Sequence, residues 1–230
     1  MMDGMSRGML RRAMFTLAST LWPGIGRAND LLGSGWRHGE YPGLRPARFT
    51  AIGEQGLRIE GHGTGSFVWR RVSGVAQCLS WRWRVDEGPP PTDLTRRFGD
   101  DRAISVAVGF AGFPSRAGPW QRAQHAIAQG AAGNHTLPRS VLIYSWGGTG
   151  REPVRFYSPW LGQLGKVHPL RHARSETGRW FEERVDLDAD WRAAFGGEPP
   201  HLQEIAIGTD VDDTSSRVDA QIDRIRVTAC

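Results

Sequence analysis

The stretch LQEIAIGTDVDDT, Leu202 to Thr214, reads as a β-strand that runs into an acidic turn. Ile205 and Ile207 share one face of an alternating segment, the period-two pattern of a half-buried strand. Asp210, Asp212 and Asp213 then place three carboxylates within four positions. Acid clustered at a strand end needs an arginine, backbone N–H groups or a cation to offset it. This stretch therefore predicts a β protein with one unusual polar loop, in which Asp210 is buried and Asp212 and Asp213 are more exposed.

The same alternation recurs along the chain. Leu57 to Glu60 alternates, and GHGTG (Gly61 to Gly65) follows. A phosphate-cradling loop needs a helix behind it, but Phe67-Val68-Trp69 reads as strand, so the glycines predict a hairpin turn. Gln77 to Val85 places Trp81, Trp83 and Val85 on one face and Arg82 and Arg84 on the other. Ile104, Val106, Val108 and Phe110 mark a further strand whose opposite face is small. Segments at Val141 to Trp146, Trp180 to Leu187, Glu204 to Thr209 and Gln221 to Thr228 complete the set. Trp120, Ala123 and Ile127 sit at helical spacing, as do Leu187, Trp191 and Phe195, with Asp188 as a cap and Gly196 as a stop. Strands outnumber helices and no β-α alternation appears. The expected fold is all-β, an antiparallel β-sandwich of jelly-roll type with one or two short helices. Trp81, Trp83, Ile104, Val106, Val108, Ile205 and Ile207 are its predicted core.

Length and composition fit one domain over residues 29–230 behind a leader at 1–28. All five methionines of the 230-residue chain lie in that leader. Arg7, Arg11 and Arg12 precede an apolar run from Ala13 to Leu21, and Gly26-Arg27-Ala28 offers small residues for cleavage, the layout of an export signal. The Arg11-Arg12 pair resembles a twin-arginine signal. The expected location is the periplasm or outside the cell. The leader also carries most of the formal charge of +5, which removes the main support for nucleic acid as a partner. No later segment is long and apolar enough for a transmembrane span. The two cysteines, Cys78 and Cys230, provide no disulfide framework. Cys78 reads as a small buried hydrophobe, with a bridge to Cys230 as the alternative.

Candidate sites follow from chemistry. Trp160, in the loop-like SPWLG, is the best placed tryptophan to offer a flat face to a sugar ring. Tyr144, Trp146 and Arg84 complete the candidate ligand-binding set. Asp210, Asp212, Asp213, Asp100 and Asp101 supply hard oxygen ligands, and a shared calcium site would form if folding brought the two loops together. The spacing is not that of an EF-hand, since Ser215 and Gln221 stand where glycine and glutamate belong. The aspartates would otherwise cap turns or pair with arginines. His168 and His172 lack partners for a zinc set and read as surface residues. Glu182, Glu183, Asp186 and Asp188 read as the solvent face of a strand, although paired acids could serve glycoside hydrolysis.

Several segments together resemble a bacterial family, the domain of unknown function 3047. They are LSWRWRV (Leu79 to Val85), Asp93 with Gly99-Asp100-Asp101, SVLIYSW (Ser140 to Trp146), the stretch from Gly178 to Pro200, IAIGTDVDDT (Ile205 to Thr214) and DRIRV (Asp223 to Val227). The chain departs from the family's pattern at Asp213 and Ile143, where asparagine is usual. The resemblance implies an exported bacterial β-sandwich reminiscent of carbohydrate-binding jelly rolls, and no activity. The expected function is a non-catalytic binding domain of the cell envelope, with a glycan or envelope component as partner. A polysaccharide lyase or hydrolase and a structural or assembly domain are the alternatives. A groove lined by Arg, Tyr and paired acids would favour the enzyme. Sequence leaves the oligomeric state open.

Overall fold

The computed structural model describes residues 35–230. The predicted leader therefore lies outside the described residues. Twelve strands form two stacked sheets. The larger contains β1 (Arg37–Glu40), β4 (Gly65–Arg71), β6 (Arg102–Phe110), β7 (Ser140–Gly147), β8 (Phe156–Ser158), β9 (Gly162–Arg171) and β11 (Leu202–Asp210). Its order is β1-β4-β11-β6-β7-β9-β8. The smaller contains β2 (Arg48–Ile52), β3 (Gly56–His62), β5 (Cys78–Glu87), β10 (Phe181–Asp186) and β12 (Arg217–Thr228), in the order β10-β5-β12-β3-β2. Helix α1 (Pro119–Ala131) follows β6, and α2 (Leu187–Phe195) follows β10. The all-β sandwich is as the sequence predicts, with one exception to its antiparallel pairing: β7 and β9 run parallel, because β8 intervenes and folds back on β9.

The seven predicted core residues are all buried. Ile104, Val106 and Val108 of β6 and Ile205 and Ile207 of β11 lie in register on one face of the larger sheet. Trp81, Trp83 and Val85 of β5, with Ala220 and Ile222 of β12, answer them from the smaller sheet. Aromatic rings lock the two layers together. Trp83 meets Trp146 edge-on at 5.7 Å, Trp81 meets Tyr144 at 5.7 Å, and Trp81 and Trp83 are themselves edge-to-face at 5.4 Å. Such pairs add about 0.5–1.5 kcal/mol each beyond their buried area. Arg82 and Arg84 take the outer face of β5, where Arg82 makes two bonds to Asp223 of β12.

Three local expectations change. The Gly61–Gly65 stretch does not close a hairpin within one sheet. It carries the chain from β3 in the smaller sheet to β4 in the larger, through Gly63 at φ +55°. The cap of α2 is Asp186, which accepts from the Ala189 N–H at 3.0 Å. Asp188 lies within the first turn and pairs with Arg192. Cys78 and Cys230 form a disulfide, so the end of the chain is joined to the first residue of β5.

A buried polar cluster lies beneath α2. Tyr144 donates to Asp190 at 2.8 Å, and Arg155 pairs with the other oxygen of that carboxylate. Burial, and then Asp190, push the Tyr144 phenol well above its usual range. His168, expected at the surface, is half-buried beside Tyr144, and its Nδ1 is enclosed without a hydrogen-bond partner among the described residues. Burial first, and Arg155 second, lower the His168 pKa, while Asp190 acts weakly the other way.

Two consequences can be measured. An unfolded histidine titrates near about 6.5, so below that pH the unfolded chain binds a proton that folded His168 resists. Its contribution to stability is complete above about pH 6.5 and is lost as the pH falls through the depressed folded pKa. Urea unfolding at stepped pH should show stability declining below about 6.5, with a shallower decline in His168→Gln. The Cys78–Cys230 bridge spans 152 residues of sequence. Closing a loop this long restricts the unfolded chain, and Cys230→Ser should cost about 2–5 kcal/mol. An unchanged urea midpoint in that variant would show that the bridge does not form in solution.

Candidate functional site

The outer face of the larger sheet is built from small side chains. Ser105, Ala107 and Gly109 of β6 face outward beside Gly208 and Ala206 of β11. This shallow floor is flanked by larger groups on both sides. On one side Ile143 and Val167 join Leu94 and Phe156 in an apolar cluster separate from the main core. On the other, the Tyr41 ring packs against Phe67 at 5.4 Å. Between the two walls, at the Arg102 end of β6, lies a cavity of about 140 Å³. Tyr41, Pro42, Leu44, Leu94, Ile143, Val167 and the Ser158–Leu161 turn supply its walls, and Asp100, Arg102 and Asp210 its polar end.

That polar end depends on irregular strand register. An extra residue in β6 shifts its pairing between Arg102 and Ile104 and turns Arg102 to the outer face, where alternation along β11 already places Asp210 with Ala206 and Gly208, while the isoleucines stay inside. Arg102 reaches Asp100 at 3.1 Å through Nη1 and Asp210 at 3.8 Å through Nη2. Burial works against the guanidinium charge, but facing Tyr41, Asp210 and Asp100 outweigh it, so the Arg102 pKa is raised. The buried Nε of Arg102 has no hydrogen-bond partner among the described residues. Burial also raises the Tyr41 pKa, against the pull of Arg102. The phenol stays protonated at neutral pH and is a donor rather than a base.

Trp160 forms part of the wall instead of an open platform. Its indole N–H donates to Asp100 at 2.9 Å, Arg97 covers the ring at 4.9 Å, and Phe98 meets it edge-on at 5.6 Å. The other three ligand candidates are elsewhere. Tyr144 and Trp146 point inward with Leu142, because neighbouring Ile143 takes the outer face, and both rings are enclosed between the sheets. Arg84 lies on the outer face of the smaller sheet, held by Asp86. Strand alternation thus separates the four residues onto three faces of the sandwich.

The five aspartates divide into two groups. Asp100 and Asp210 are buried at the pocket's polar end on Arg102. Asp101, fully buried, turns the other way and meets Asp212 and Asp213, with an oxygen of each within 4.8 Å of the others. Asp101 accepts from the Thr214 hydroxyl and N–H and from the Asp213 N–H. Burial raises its pKa, and these bonds pull it back. As expected, Asp210 is buried and Asp212 and Asp213 are more exposed. Three oxygens fall short of the six to eight that calcium takes, so backbone carbonyls or water would have to complete a site.

Tyr41, Arg102 and Leu94 were not singled out by sequence. Tyr41 sits in a Gly- and Pro-rich entry with no period to read. Arg102 could have been found as the one charge between Asp101 and the apolar run of β6. Removing that charge should be costly, since two buried carboxylates would lose their shared cation. Arg102→Met is expected to lose about 3–5 kcal/mol in chemical unfolding. Adding Asp100→Asn and Asp210→Asn should restore part of the loss. A single variant as stable as the parent would show that the carboxylates do not depend on Arg102.

No curated protein matches the chain. Solved structures with a similar chain path include the xyloglucanase domain of NopAA, a type three effector from Sinorhizobium fredii, in complex with cellobiose. It is 9% identical, with a TM-score of 0.44, over 85% of this chain and 93% of that one. A thermostable cellulase derived from Cel12A of Rhodothermus marinus aligns at 11% identity and a TM-score of 0.39, over 79% and 85% of the two chains. The family 11 xylanase from Neocallimastix patriciarum aligns at 8% identity and 0.38, over 86% and 97%. Residues 34–226 match the family described as "Protein of unknown function (DUF3047)", and the chain belongs to that family.

Proposed function

We propose that this chain is a non-catalytic binding domain of the bacterial cell envelope that holds a carbohydrate unit in the pocket on the larger sheet. The observation that carries this reading is the union, in one cavity, of an apolar wall with Trp160 and a polar end of Asp100, Arg102 and Asp210. A sugar ring has the matching division, with C–H faces that pack on indole and aliphatic surface and hydroxyls that pair with planar charged groups. Asp100 and Asp210 share Arg102, and Tyr41 stays protonated, so the site favours holding hydroxyls over moving protons. Export agrees with the disulfide, which persists in oxidising compartments. The Asp101, Asp212 and Asp213 cluster would be the calcium site of such a domain if the ion takes part.

The second reading is a polysaccharide lyase or hydrolase. It is favoured by the convergence of Tyr41, Arg102 and paired acids in one groove. A glycan-array screen of the full chain, with and without calcium, should retain a restricted set of glycans. Calorimetric titration with a retained glycan should then show Trp160→Ala weakening binding by about tenfold or more, from lost apolar contact. Asp100→Asn should weaken it as well. Retention of no glycan, or equal affinity in both variants, would sink the pocket assignment. Release of reducing ends or unsaturated sugars from a bound polysaccharide would establish the enzyme instead.

A further inference from the structure

Helix α1 turns its polar side chains toward the domain and its apolar ones toward solvent. Gln129 donates to the His135 carbonyl at 2.9 Å and accepts from the Leu137 N–H at 2.8 Å, and His125 reaches the Pro138 carbonyl at 3.1 Å. Trp120, Ala123 and Ile127, spaced for a helix core, form the outer face instead, with Trp120 69% and Ile127 49% exposed. The helix buries none of its residues. Polar backbone groups of the 132–139 connection occupy the inner side of the helix instead.

The surroundings of that face are basic. Between Asp101 and Glu152 the sequence contains no carboxylate side chain. Arg122 and Arg139 both lie over the Phe113 ring, at 5.0 and 5.6 Å, and anchor on the carbonyls of Ala117 and Ala111. Arg116, three residues before the helix, is exposed and close enough to Lys166 to help lower its pKa, after burial. Glu204, the acid on the adjoining strand β11, is engaged by His135 at 2.7 Å.

We propose that α1 is a docking surface for an anionic phospholipid bilayer, with Trp120 and Ile127 entering the headgroup layer and Arg116, Arg122 and Arg139 meeting lipid phosphates. An exposed apolar stripe flanked by arginines is the pattern of an interfacial helix, in which apolar burial and anionic attraction add. A second copy of this face would bring like charges together, which disfavours self-association. The docking end is also compatible with an open pocket. Helix α1 follows β6 at Phe110, whereas the pocket's polar end is at Arg102, the opposite end of the same strand. This inference does not depend on the carbohydrate reading.

The test is vesicle flotation of the full chain, on phosphatidylcholine mixed with phosphatidylglycerol and on phosphatidylcholine alone. Binding is expected on the anionic vesicles only, and about 0.5 M salt should remove most of it by screening. The double variant Trp120→Ser with Ile127→Gln changes exposed residues only. It should melt like the parent and bind the anionic vesicles about tenfold more weakly. Equal binding by parent and double variant would overturn the proposal, since any affinity would then reside elsewhere in the chain, including its basic first residues. Absence of binding to anionic vesicles would overturn it too. So would a parent dimer, seen by sedimentation, that the double variant abolishes without any vesicle binding.

Discussion

The interlock of Trp81 and Trp83 with Tyr144 and Trp146 is the constraint on which the rest of the structure depends. Four large rings meeting edge-on or tilted between two sheets fix the separation and register of the layers, since interiors packed to crystal density tolerate little sliding. Because side chains alternate along a strand, filling the inside of β7 with Tyr144 and Trp146 sends Ile143 and Ser145 outward. The same rule on β6 and β11 puts bulky aliphatic residues inside and Ser105, Ala107, Gly109, Ala206 and Gly208 outside. The small outer face of β6 and β11 is thus the counterpart of the well-filled core.

The one charged group of β6 enters that face where its alternation is broken. An extra residue near the start of β6 turns Arg102 toward Asp210, which the regular alternation of β11 already places there, and Asp100 joins them from the preceding loop. Bulges of this kind re-aim single side chains without disturbing the strand behind them. The acids at the two strand ends therefore serve different purposes. Asp100 and Asp210 keep a buried guanidinium ionised, whereas Asp101 organises the turn from Asp212 to Thr214 through its hydrogen bonds.

Much of the fold was legible in the sequence because period-two burial is a local signal. Eight of the twelve described strands and the core faces of β5, β6 and β11 followed from it, whereas β1, β2, β8 and β9 were not read, and the burial of Asp210 followed from its clustered charge. What was not legible is long-range. The path from Gly61 to Gly65 looks the same whether it closes a hairpin or crosses between sheets, and only the partner of β4 decides. Tyr144 and Trp146 were read as ligand contacts because aromatic residues serve cores and sites alike, and their face depends on which side of β7 meets Trp81 and Trp83. Helix α1 shows the converse failure. Its Trp120, Ala123 and Ile127 carry the period of a buried stripe, yet the groups competing for its inner side were the unpaired carbonyls and N–H of the 135–138 connection. Those favoured His125 and Gln129. In the pocket, Tyr41, Arg102 and Trp160 come from three distant segments, and no local pattern announces their meeting.

The strand orders also govern when this protein can acquire its shape. β12 lies in the middle of the smaller sheet and β11 in the interior of the larger one, so each sheet is divided until residues 202–228 have been synthesised. Before then, β5 can pair with β10 but lacks β12, and its two tryptophans have no opposing sheet completed around them. The pairs β1 with β4, β2 with β3 and β5 with β10, and the β6 to β9 group, can form early. Such a non-local topology folds late and slowly, with apolar strands exposed in the meantime. Burial of the two central tryptophans of β5 is therefore completed only when β11 and β12, the last two strands, take their places between strands made earlier.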